Sequence, residues 1–127
     1  MEPLTNNALL MMQRSMDFLW TKQTAILDNI ANVETPNYKA KYVTFEETLR
    51  GKLDAVGNGK AQDFRDVLED SSATVHVAEN ETARMDGNGV DMTEQAIELA
   101  RNALQQQHVF NAISNDLTLL RTAIRGQ

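Results

Sequence analysis

Both ends of the chain carry an apolar stripe that repeats in alternating steps of three and four residues, a pattern only long helices with a covering neighbour can use. The first stripe runs Leu9, Met12, Met16, Leu19, Gln23, Ile26, Ile30, Val33. The second runs Met92, Ala96, Leu99, Ala103, Gln106, Phe110, Ile113, Leu117, Leu120, Ile124. A helix over residues 7–33 would be about 40 Å long and one over residues 93–124 about 48 Å, rods rather than the helices of a globular core. With the two antiparallel and Val33 facing Met92, Gln23 and Gln106 fall within about one turn of each other. A polar pair inside such a seam sets register, or else each glutamine simply reaches solvent at a gap.

The fold class read from this pattern is mainly α: long N- and C-terminal helices pairing as an antiparallel coiled coil, with a short helix, a flexible loop and room for a small β-hairpin between them. One domain of 127 residues is expected, made of an N-terminal coiled-coil helix (1–33), a central turn, short helix and mobile loop (34–91), and a C-terminal coiled-coil helix (92–127). Two paired rods bury one face each, so the core of an isolated molecule is thin and association should complete it.

Charge placement agrees. The net charge is −6, and residues 34–94 hold 13 acids against 7 bases, while both ends are nearly neutral. Ends of this kind associate and the middle stays hydrated. No basic face exists for phosphates, which argues against nucleic acid as a partner. The chain has no cysteine, hence no disulfide or thiolate metal site. Its longest early apolar run, residues 8–12, is too short for a bilayer and lacks the marks of a cleaved leader, so no direct membrane insertion is expected, and any exit from the cytoplasm would proceed without a cleaved signal.

Local signals divide the rest. Pro3, Thr5, Asn6 and Asn7 suit the start of the first helix. Pro36 forbids its continuation, and Asn37 is the side-chained residue best able to take a left-handed conformation, so residues 35–38 read as a turn. Spacing from Phe45 through Leu49 to Leu53 predicts a short helix over residues 44–53. Residues 55–73 have the composition of a mobile loop. Thr74, Val75, His76 and Val77 alternate as a short strand does, residues 86–89 read as a tight turn ahead of Val90, and a small hairpin has room to form. Asp91 or Thr93 can cap the last helix, Glu94 suits its first turn, and Gly126 ends it.

Nothing in the chain assembles chemistry. His76 and His108 are solitary. The Asp86-Gly87-Asn88-Gly89 turn resembles the start of a calcium loop but would need a ligand at 90 and a glutamate at 97, where Val90 and Ile97 stand. The glycines precede no Lys-Ser/Thr pair, and the acidic neighbours Glu46, Glu47 and Glu69, Asp70 read as solvated. Met11, Met12 and Met16 read as core or interface packing rather than an adaptable binding surface. No cofactor and no enzymatic activity are expected.

Asn29, Asn32, Thr35, Pro36 and Tyr38, in this order at the end of an N-terminal helix, resemble the signature of the bacterial flagellar axial proteins, the rod, hook and hook-associated families. Val43, Phe45, Glu46 and Glu47, and the run from Asp86 through Asn88, Val90 and Asp91 into a terminal helix with Ala100, Asn102 and Leu104, are most similar to the basal-body proximal rod proteins. Asn37 stands where that family usually has glycine, and Gly89 where it commonly has asparagine. The resemblance implies a structural subunit exported by the flagellar type III apparatus and polymerised into the rod that carries torque across the periplasm. Its implied partners are copies of itself, other rod subunits, the rod-base adaptor, the motor ring protein and the export apparatus. It also implies that residues 35–38 hold the angle between the helix pair and the outer segment, with Asn29 and Asn32 satisfying backbone left open where the helix stops. Tyr38, Tyr42 and Phe45 would pack on the helix pair, with a neighbouring subunit as the alternative. A soluble coiled-coil adaptor that binds partner helices in the cytoplasm is the other class of function these stripes permit.

Overall fold

The computed structural model describes residues 2–45, 61–79, 85 and 87–126. Its first element is α1, Glu2–Ala31. The helix begins earlier than residue 7, because a proline in the first turn loses no hydrogen bond there, so Pro3 belongs to the helix rather than to its cap. It ends where expected: Asn32 N–H donates to Asp28 O at 3.1 Å, Val33 N–H to Ile30 O at 3.3 Å, and Thr35 N–H to Asn32 O at 3.0 Å, tightening the chain into a turn ahead of Pro36.

A two-stranded antiparallel sheet comes next, β1 (Lys41–Thr44) against β2 (Thr74–Val77), with Tyr42 opposite His76 and Val43 opposite Val75. The strand expected at residues 74–77 therefore forms, and its partner is the segment that follows the turn after α1. Valine and threonine on both segments, with Tyr42 on β1, favour the extended backbone, and the exchange is closed by Ala78 N–H donating to Ala40 O at 2.9 Å. The short helix read over residues 44–53 lies mostly outside the described residues; Thr44, its first residue, is in β1.

The expected loop over residues 55–73 is corrected by α2, Ala61–Glu69. Leu68 at its end is fully buried and sits with Phe18, Leu19 and Phe45 at the centre of the core; Leu10, Val43, Val67, Ala73 and Val109 pack around them. Phe18 and Phe45 stack with ring centroids 5.2 Å apart. Arg14 on α1 donates from Nε to Leu68 O and from Nη2 to Glu69 O, both at 3.0 Å, so its cation meets the carbonyl end of α2 where the helix dipole is negative. Such a helix is held by a long-range partner, which a composition-based reading of residues 55–73 does not register.

The last element is α3, Met92–Arg125. Asp91 caps it, accepting from Thr93 N–H at 3.0 Å and Glu94 N–H at 3.3 Å, and Gly126 closes it at φ 69°. Contacts between α1 and α3 run in opposite chain directions, Asn29 with Gln95, Lys22 with Glu98, and Leu19 with Asn102, so the helices are antiparallel. No described helix is long and apolar enough to cross a membrane.

Candidate functional site: a locked turn and an uncovered helix flank

Two features stand out, the turn between α1 and β1 and the way α3 lies on α1. The turn is built from three asparagines. Asn29 is fully buried; its Nδ2 donates to Lys41 O at 2.8 Å and to Gln95 Oε1 at 3.0 Å, and its Oδ1 accepts from Lys41 N–H at 2.8 Å and from the Tyr38 hydroxyl at 3.4 Å. It thus acts as one more strand residue for β1 while reaching α3, which differs from the expectation that it serves the end of its own helix. Asn32 does serve that end, donating to Asp28 O at 2.8 Å and accepting from Thr35 Oγ1 at 3.1 Å.

Asn88, to which the sequence motif assigns no structural role, is the third. Fully buried, it donates to Asn32 O at 2.8 Å and Thr35 O at 2.6 Å and accepts from Val90 N–H at 2.8 Å. The neighbouring Gly89 N–H donates to Tyr38 O at 2.8 Å. Residues 88–90 therefore clamp the turn from outside, and Thr35, Pro36 and Asn37 remain exposed. Asn37 does take the left-handed conformation, φ 61°. Gly87 opposite it has φ 77°, and a Cβ there would overlap the Asn37 side-chain oxygen. Gly87→Ala is accordingly expected to destabilise the chain by about 2 kcal/mol through positive φ and overlap together, read from the midpoint of urea unfolding; an unchanged midpoint would contradict this account of the turn.

Of the aromatic cluster, Phe45 is buried and Tyr38 half-buried, while Tyr42 is half exposed and stacks on His76 at 5.0 Å. His76 Nε2 also meets Thr44 Oγ1 at 2.8 Å.

On α1 the expected stripe is covered. Leu19 and Ile26 are buried, and Leu9, Met12, Met16, Gln23 and Ile30, with Val33 just beyond the helix, are half-buried. On α3 the outcome is different. Residues facing α1 are Gln95, Asn102 and Val109, seven apart, and the first two are buried polar groups: Gln95 receives Asn29, and Asn102 Nδ2 donates to Leu19 O at 3.0 Å. The Asn102 Oδ1 finds no donor among the described residues. The apolar stripe of α3 is turned to the flank. Leu99, Gln106, Ile113 and Leu120 are half-buried, whereas Met92, Ala96, Ala103, Phe110, Leu117 and Ile124 are exposed. Polar demands decide this rotation, because α1 presents a carbonyl and a buried amide that only polar side chains of α3 can satisfy.

The two glutamines do meet, Gln106 Nε2 donating to Gln23 Oε1 at 2.6 Å. Their bond fixes which flanks share a side. Trp20 and Leu27 stand three before and four after Gln23, and Ala103 and Phe110 stand likewise about Gln106, so all four lie on one side of the pair. Trp20 is 63% exposed and Phe110 62%. The result is an apolar two-helix face with a glutamine pair at its centre.

No group of three or more His, Asp or Glu side chains that could hold a metal occurs among the described residues. Searched against protein-family models, the chain matches none. It is similar to the flagellar basal body rod protein FlgB of Bacillus subtilis, 33% identical over 109 residues that cover 83% of each chain. The chain belongs to the FlgB family. FlgB of Cereibacter sphaeroides is 30% identical over 84% of this chain and 85% of its own, and FlgB of Yersinia enterocolitica 27% identical over 95% and 90%. Membership makes this FlgB-family chain a structural component of the flagellar basal body and not an enzyme.

Proposed function

We propose that this chain is a subunit of the proximal rod, exported by the flagellar type III apparatus, polymerised through its terminal helices and loaded with torque in the assembled rod. The observation that carries the reading is the uncovered face of Trp20, Leu27, Phe110 and Leu117 beside helices whose mutual contact is partly polar. A helix pair that turns amides inward and large apolar groups outward completes its packing against neighbours. Those neighbours are copies of this chain and other rod subunits, with the rod-base adaptor, the motor ring protein and the export apparatus as further partners. In the assembled rod the exposed flank of Trp20, Leu27, Phe110 and Leu117 forms the contact, the α1 stripe stays inside the subunit, and residues 35–38 hold the outer segment at a fixed angle to the helices. Deleting the gene is expected to leave cells without hooks or filaments, scored by electron microscopy and restored by the wild-type gene. Normal hooks and swimming in the deletion strain would overturn the proposal.

A further inference from the structure

Asn88 and Gly89 form one of the chain's two Asn-Gly pairs, the other being Asn58 and Gly59. An asparagine followed by glycine is chemically the least protected of dipeptides. The backbone nitrogen of the glycine attacks the side-chain Cγ, losing its proton to solvent base; ammonia departs with Nδ2; and the five-membered imide is opened by water to aspartate or isoaspartate. One water is consumed and one ammonia released. Glycine permits the attack because no Cβ crowds the nitrogen.

Every atom in that reaction is held at Asn88. The attacking nitrogen is occupied, since Gly89 N–H donates to Tyr38 O. The leaving nitrogen donates to two carbonyls, Asn32 O and Thr35 O, and Oδ1 accepts from Val90 N–H, which fixes the rotation of the side chain. The residue is fully buried, so water and base have no approach. Reaction thus requires residues 88–90 to leave the turn first.

We propose that Asn88 is a latent deamidation site, closed by docking of residues 88–90 on the 32–38 turn and opened whenever that clamp releases. The product does not re-dock. It replaces an amide donor by a carboxylate oxygen facing two carbonyl oxygens in a buried place, or, as isoaspartate, lengthens the backbone there. Copies that dwell with the clamp open are therefore removed irreversibly from the folded pool, while folded copies are preserved.

Because clamp opening is fast beside imide formation, the native rate equals the unfolded rate multiplied by the open fraction. The test incubates the full-length protein at pH 8 in buffer and in urea and tracks the 1 Da gain at the peptide containing Asn88 by mass spectrometry, with Asn58 in urea confirming that the conditions support the reaction. Conversion of Asn88 is expected to be about 100-fold or more slower in buffer than in urea, each tenfold measuring about 1.4 kcal/mol of opening free energy. Sub-denaturing urea should raise the native rate, and Gly87→Ala should raise it roughly 30-fold without changing the rate in full urea. Equal rates in buffer and urea, or a native rate indifferent to both perturbations, would overturn the proposal. Should Gly87→Ala fail to fold, the urea series on the wild-type chain decides alone.

Discussion

Asn29→Ala is expected to cost about 3–4 kcal/mol, several times the effect of Asn32→Ala. The substitution deletes a fully buried side chain that pairs with Lys41 N–H, Lys41 O, Gln95 and the Tyr38 hydroxyl, four groups on β1, α3 and the turn. Each buried group left without a partner costs roughly 1–3 kcal/mol, and the vacated volume adds to it. Asn32 serves Asp28 O and Thr35 Oγ1, both local, and it is only half-buried, so water replaces what is lost and the cost is about 1 kcal/mol. Since domains of this size are stable by only about 5–15 kcal/mol, the first variant loses a large share of its stability and the second little. Urea unfolding monitored by circular dichroism checks the order. Equal midpoints for the two variants would show that Asn29 is not the joint between α1, β1 and α3.

That joint is half legible in the sequence. Proline and Asn37 mark the turn, because local steric rules decide it, and the capping of α3 by Asp91 and its end at Gly126 rest on equally local hydrogen bonding. The meeting of Gln23 and Gln106 comes from register, which two long periodic stripes carry over many residues. The hidden part depends on partners distant in sequence. Asn88 acts across 53 and 56 residues, and Arg14 reaches α2 across 54 and 55. Helix α2 has a signal in the spacing of Phe64, Val67 and Leu68, though its glycine- and serine-flanked surroundings point to a loop. The rotation of α3 is invisible for a different reason. An apolar period says which residues seek cover, and the buried amides of Gln95 and Asn102 then claim the place opposite α1 that the period alone would give to Phe110.

From that rotation comes the second large effect. Phe110→Asp is expected to leave the isolated chain folded, with stability changed by no more than about 0.5 kcal/mol, because the ring is already mostly in water. Assembly is another matter. Covering the exposed part of a phenylalanine, on the order of 100 Å², is worth about 2.5 kcal/mol, nearly two factors of ten in an association constant. A carboxylate in its place also has to be desolvated without a partner, and a rod subunit meets several neighbours, so the defect repeats at every copy. The strain carrying Phe110→Asp should therefore make a folded, protease-resistant protein yet lack hooks and filaments. Leu19→Asp supplies the contrast: at 3% exposure this leucine belongs to the core, and its loss should unfold the chain itself. Circular dichroism of the purified variants separates the two failures, and electron microscopy of the cells reads assembly. Normal filaments on the Phe110→Asp strain would remove this flank from the rod contact, and a Phe110→Asp chain that unfolds in isolation would show that the ring packs within the subunit instead of between subunits.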